Sequence, residues 1–238
     1  MSALLTIKDL WGGYKEGVDI LRGIDLSVEE GQAVGIIGLN GSGKSTLGKA
    51  ILNMIPIRRG DITFAGESVM SLSTHELAQK GLSIMQQGGR VFPNLSVWEN
   101  LELAFNTGMG EGFNQLRAII PMLQRPKKEL QRQMADKLSG GQKHQLALAR
   151  TLATRPRLVI LDEPSAGLSP RAVEEMYGTL QAMRDNLQVT VVLIEQAIAR
   201  AVGFCQTSLL MGQGQLKEVI IQSDIKSIES LMFNNIEL

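Results

Sequence analysis

Apolar positions along the chain keep two rhythms, one of period two and one near 3.6, and these predict the elements. LLTIKDL (4–10) alternates as β structure, and VDILRGIDLSVEEGQ (18–32) continues as a strand with a turn at Glu30-Gly31. AVGIIGL (33–39) is an unbroken apolar run, which suits a strand buried on both faces. STLGKAILNMI (45–55) is helical. RRGDITFAGESV (58–69) reads as turn, strand, turn, and HELAQKGLSIMQQ (75–87) as a short helix and then a strand. From about residue 93 to 137 the character changes. Helical segments VWENLELAF, FNQLRAIIPML and KKELQRQMADKL follow one another, with a Gly-rich loop, NTGMGEG (106–112), after the first. RLVILD (157–162) is another buried strand, RAVEEMYGTLQAMRDNL (171–187) a helix, VTVVLIE (189–195) a strand and SLLMGQGQLKEVI (208–220) a hairpin. SDIKSIESLMF (223–233) reads as a short closing helix. Apolar strands alternating with helices give a parallel α/β core with a helical insert.

Composition narrows the class. The chain has 238 residues, 44% of them hydrophobic, enough for one large domain or two small ones. Lys plus Arg balance Asp plus Glu, so total charge gives no argument for nucleic-acid binding. The lone Cys205 excludes a disulfide framework and a thiolate cluster, and reads as a small buried side chain. His75 and His144 lie far apart without metal-ligand spacing and read as surface residues. The opening MSALLTIKDL shows no basic stretch leading into an apolar one, and no apolar run nears the ~20 residues of a membrane span. The expectation is a soluble, cytoplasmic protein that acts at a membrane only from the side, peripheral on its inner face through a partner.

The first chemical motif is GLNGSGKS (38–45), a full match to G-x-x-x-x-G-K-[ST] between a predicted buried strand and a helix. Its glycines let successive N–H groups face phosphate oxygens. Lys44 brings a positive charge to the β- and γ-phosphates, and the Ser45 hydroxyl is a Mg²⁺ ligand. Gly38, Asn40, Gly41, Ser42, Gly43, Lys44, Ser45 and Thr46 are therefore the candidate ATP-binding residues here.

LVILDEP (158–164) carries Asp162 to the carboxyl end of a strand, where α/β sheets bind ligands. Asp162 is a candidate Mg²⁺ ligand. Glu163 points elsewhere and is a candidate base toward an attacking water. Gln87, after GLSIM, is a third candidate for Mg²⁺ or water, with Gln86 as its immediate competitor. Tyr14, in LWGGYKEG, can stack on adenine or pack in the core. Ser139-Gly140-Gly141 opens another helix. Ser139 and Gln142 form a capping box, and the same bare N–H groups make an anion site.

Together these residues resemble the ATP-binding cassette (ABC) family: Tyr14, GLNGSGKST, Gln87, LSGGQ after a helical insert, LDEP and SAGLSP occur in that order. The resemblance covers almost the whole chain. It implies an ABC-type P-loop NTPase of one domain, 1–238, with an N-terminal antiparallel β subdomain. The core would occupy 1–87 and 138–238, and the helical subdomain 88–137. It also implies Mg²⁺-dependent ATP hydrolysis at a site shared by two cassettes facing head to tail. Ser139, Gly140, Gly141 and Gln142 of one would meet the nucleotide held by the other.

One position departs from the pattern. Gln196, after VTVVLIE, stands where most cassettes place a histidine that touches the γ-phosphate; it can donate a hydrogen bond but cannot become a cation. The Glu195-Gln196 pair, with GRVFPNLSVWENL (89–101) and DEPSAGLSP, looks like an ATPase subunit of branched-chain amino acid importers or their amide and urea relatives. That subgroup implies a second cassette, identical or merely homologous, together with membrane permease subunits and, indirectly, a solute-binding protein. Arg90-Val91-Phe92-Pro93 would border the groove for the permease. Lys44, Glu163 and Gln196 are the expected catalytic residues. Rival readings are a soluble cassette acting on a protein or nucleic acid, and a regulatory cassette that holds ATP with little turnover.

Overall fold

The computed structural model describes residues 3–105 and 109–220. In chain order the elements are β1 (Ala3–Gly13), β2 (Leu21–Glu29), β3 (Ala33–Ile37), α1 (Lys44–Ile51), β4 (Ile57–Phe64), β5 (Glu67–Ser68), α2 (Thr74–Gln79) and β6 (Leu82–Met85). Then come α3 (Val97–Ala104), α4 (Gly110–Ile119), α5 (Lys127–Arg132), α6 (Gly140–Leu152), β7 (Leu158–Asp162), α7 (Pro170–Leu187), β8 (Thr190–Glu195), α8 (Ile198–Phe204), β9 (Thr207–Gly212) and β10 (Gln215–Ile220). Short 3₁₀ turns at Pro121–Gln124 and Ala135–Lys137 join the helices of the middle segment. Contacts divide the chain into two units, residues 1–77 with 190–238, and residues 78–189.

The first unit holds two sheets. One is antiparallel, in the order β2-β1-β4-β5. In the other, β3 pairs in parallel with both β8 and β9, and β10 closes on β9 as an antiparallel hairpin. Every residue of β3 and β8 is buried, as their unbroken apolar runs predict. The segment RRG, read as a turn, is instead the start of β4. Gly60 takes φ 100° there because a Cβ would fall 2.2 Å from the Asp9 carbonyl oxygen. Register against β1 shifts between Lys8 and Trp11, so the glycine marks a β-bulge rather than a chain reversal.

In the second unit β6 and β7 pair in parallel. The four apolar side chains of β7 are fully buried, each stabilising by about 1.5–3 kcal/mol relative to exposure. Helix α6 packs against α3, α7 and β6. Gly110-Glu111-Gly112, read as loop, is the first turn of α4; Phe113 behind it is held edge-on by Trp98 and Phe105, and this packing outweighs glycine's poor helix propensity. Residues 106–108 of that predicted loop, and the predicted closing helix 223–233, lie outside the described residues. No described helix is long and apolar enough to cross a membrane.

The loop before α3 is fixed from both ends. Buried Asn100 accepts the Phe92 N–H (2.9 Å) and donates to the Phe92 carbonyl (3.0 Å). Ser96 and Glu99 form a capping box: the Glu99 carboxylate accepts the Ser96 hydroxyl (2.7 Å) and backbone N–H (2.8 Å). These bonds, the hydroxyl's first, hold Glu99 below the usual carboxylate range. A carboxyl depressed in the folded state stabilises above its unfolded pKa, and the gain is lost as pH falls through the folded value. Glu99→Gln should therefore unfold at a lower temperature than the parent at neutral pH. In thermal melts that gap should narrow as pH falls through the usual carboxylate range and close only below the depressed folded value, where Glu99 is protonated in both states.

Candidate nucleotide site

The phosphate loop lies in the first unit. β3 delivers the chain to Gly38, and six residues later α1 begins at Lys44. Gly38 is glycine because a Cβ would sit 2.3 Å from the Met211 carbonyl oxygen of β9. Gly41 (φ 80°) and Gly43 (φ 106°) supply the left-handed turns that curl the backbone. No side chain caps α1 and its first turn holds no acid, so its N-terminal N–H groups and dipole suit an anion. Lys44 is only 4% exposed. Its ammonium lies inside the loop and donates to the carbonyls of Gly38 (2.8 Å) and Leu39 (2.9 Å). Ser42 and Thr46 are buried and Ser45 half-buried.

Gln196 comes to the same loop. It follows β8, its backbone N–H donates to the Glu195 carboxylate (3.1 Å), and its side-chain amide donates to Asn40 Oδ1 at 2.6 Å. The position where a histidine is usual thus places an amide against the phosphate loop. Tyr14 is 45% exposed, which rules out core packing, and Lys49 Nζ lies 6.0 Å from its ring centroid.

The carboxylates lie in the second unit. β7 ends on Asp162, buried at 3% exposure, and Glu163 beside it is 7% exposed. Glu163 has φ 47°, a left-handed conformation uncommon outside glycine; it turns this side chain away from the strand's alternation. β6 stops at Met85, two residues before the strand end predicted from sequence. Of the two glutamines that follow, Gln87 faces the acid: its amide donates to Glu163 Oε2 at 2.8 Å. Gln86 lines a groove instead.

The Ser139 turn is built as its sequence predicts. The Ser139 hydroxyl accepts the Gln142 N–H (3.3 Å), and Gln142 Oε1 accepts the Ser139 N–H (3.1 Å). A Cβ on Gly141 would lie 3.1 Å from Ala172 Cβ, so the turn is glycine partly for packing on α7. Two expectations need correction. His144, read as a surface residue, is 5% exposed, because the second turn of α6 faces inward. Cys205, read as buried, is half-buried at the end of α8.

Of the groove beside the loop after β6, sequence reasoning named Arg90 but missed Arg150. The groove's volume is about 420 Å³, and Met85, Gln86, Arg90, Ala147 and Arg150 line it. The Arg150 guanidinium lies 4.5 Å from the ring centroid of Phe92, itself 46% exposed, and donates to the Arg90 carbonyl (3.0 Å). Burial lowers the Arg150 pKa. The helical spacing of Arg150 within α6 carried no signal, since an arginine at a helix end reads as solvated.

The glycine geometry yields a prediction. Gly38→Ala should weaken binding of a fluorescent ATP analogue by at least about tenfold, since overlap at 2.3 Å must displace the loop or β9. Gly17→Ala is the control. It meets nothing within 4 Å and bears only the strain of φ 75°, so it should bind within about twofold of the parent.

The profile of the ABC transporter family matches residues 21–166. A probable branched-chain amino acid transport ATP-binding protein, LivF of Archaeoglobus fulgidus, is 33% identical over 214 residues, 90% of this chain and 89% of LivF. The lipopolysaccharide export system ATP-binding protein LptB of Escherichia coli is 29% identical, over 90% of this chain and 89% of LptB. A nucleotide-free ATP-binding cassette from an ABC transporter superposes with a TM-score of 0.81 at 24% identity, covering 96% of this chain and 95% of that one. With a family profile over residues 21–166 and a relative 33% identical over 90% of the present sequence, the chain belongs to the ABC transporter family of ATPases.

Proposed function

We propose that this protein is the ATPase subunit of an importer for branched-chain amino acids or a related small polar amide, working through separate membrane subunits. The observation that carries the solute class is the Glu195-Gln196 pair, with its amide on Asn40, in a chain whose relative LivF bears a branched-chain amino acid transport name. In this reading Tyr14 stacks on adenine, and Lys44 with the loop N–H groups of residues 38–46 holds the phosphates. Glu163 takes the proton from the attacking water, and Gln196 donates to the γ-phosphate. Ser139, Gly140, Gly141 and Gln142 complete the nucleotide site of a second cassette.

The residues present fit Mg²⁺. The candidate ligands are oxygen donors: the Ser45 hydroxyl, the Asp162 carboxylate and the Gln87 amide carbonyl. When bound, Mg²⁺ supplies charge neutralisation on the phosphates.

The groove at Arg90 and Arg150 is the proposed seat for a membrane subunit. Its named lining carries two guanidinium groups and no carboxylate, so a short helix bearing Asp or Glu complements it.

Co-expression with the membrane subunits that copurify, followed by reconstitution in vesicles, tests the scheme. The parent should hydrolyse Mg–ATP and accumulate labelled leucine. Glu163→Gln should keep ATP binding and lose at least about 10²-fold in turnover, the scale of a lost general base. Glu163→Gln and parent turning over equally would remove Glu163 from that role. ATP-driven movement of a lipid, or no response to any amino acid, small amide or urea, would overturn the solute class while leaving the ATPase in place.

A further inference from the structure

The loop that leaves β6 is anchored at both ends and touched in the middle. At its head Gln87 is bonded to Glu163, and at its tail Phe92 is held by Asn100. Between them Gly88 (φ 84°) and Gly89 (φ 57°) are both left-handed, and α6 meets this stretch twice. Arg150 bonds to the Arg90 carbonyl. His144 packs on Gly89 so closely that a Cβ there would lie 3.1 Å from the His144 Cα, Cγ and Nδ1. A Cβ on Gly88 would meet nothing within 4 Å.

The histidine is an expensive residue at this place. Its Nδ1 lies 2.9 Å from the Gly140 carbonyl oxygen, one turn back and next to Ser139. Its Nε2 is buried with no hydrogen-bond partner. Such an orphan is a cost that a leucine or methionine filling similar space would not carry. An imidazole kept there against that cost has one distinguishing trait. It is a flat, rigid ring whose Nδ1 side lies against both the Gly140 carbonyl of the Ser139–Gly141 turn and Gly89.

We propose that His144 is a positioning residue that carries displacement of the Gln87 loop into the Ser139–Gly141 turn. A nucleotide that draws Gln87 from Glu163 shifts Gly88 and Gly89; the ring follows, and the turn moves with it. One chain's own nucleotide state is thereby reported to the surface that serves a second cassette. The inference rests on the ATP site of the proposed function and not on the solute.

Hydrogen exchange on the full chain, with and without the Mg²⁺ complex of a slowly hydrolysed ATP analogue, tests it. In the parent, the analogue should change exchange in both 87–92 and 139–145. In His144→Leu the response at 87–92 should persist, while that at 139–145 falls at least about threefold. A purely structural loss would lower the melting temperature and alter both segments alike. Gly89→Ala should reproduce the selective loss. Gly88→Ala shares the positive-φ strain but meets no neighbour, and should keep the parent's response at 139–145. His144→Leu or Gly89→Ala responding like the parent at 139–145 would overturn the proposal, and so would a parent response confined to 87–92. Failure of the parent to bind the analogue in a direct titration would instead refute the ATP-site reading.

Discussion

A buried ammonium must be surrounded by oxygen, and the phosphate loop is organised around that requirement. Lys44 is almost without solvent, so the carbonyls of Gly38 and Leu39 turn inward to meet it. Turning them inward needs left-handed backbone, hence Gly41 and Gly43. It also needs the loop to lie against β9, hence Gly38. The β3 strand, the uncapped start of α1 and the loop between them form one solution to a single electrostatic problem. An anion brought to the same ammonium replaces those carbonyls with stronger partners.

Much of this was legible in the chain. Unbroken apolar runs gave β3, β7 and β8, because strands buried on both faces have no polar side to interrupt them. The capping box at Ser139 was readable because it is set by two residues three apart and needs nothing from elsewhere. Taken as residues alone, Tyr14 and the choice between Gln86 and Gln87 stay open, since each depends on which surface the loop presents; only the family resemblance selects Tyr14 and Gln87. The structure exposes Tyr14 and turns Gln87 to Glu163.

The errors share a cause. Glycine was read as turn or loop at Gly60, Gly110 and Gly112, yet the first relieves a close approach within a bulge and the others lie in a helix. His144 was read from its polarity, but packing against Gly89 decides its burial. Local composition reports what a residue permits. Contacts between segments distant in sequence decide what it does.

The bond from Gln87 to Glu163 has a last implication. It ties the loop after β6 to the turn after β7. Neither segment can shift without breaking that bond or carrying the other with it. One side chain resting on another is thus a latch between two stretches far apart in sequence.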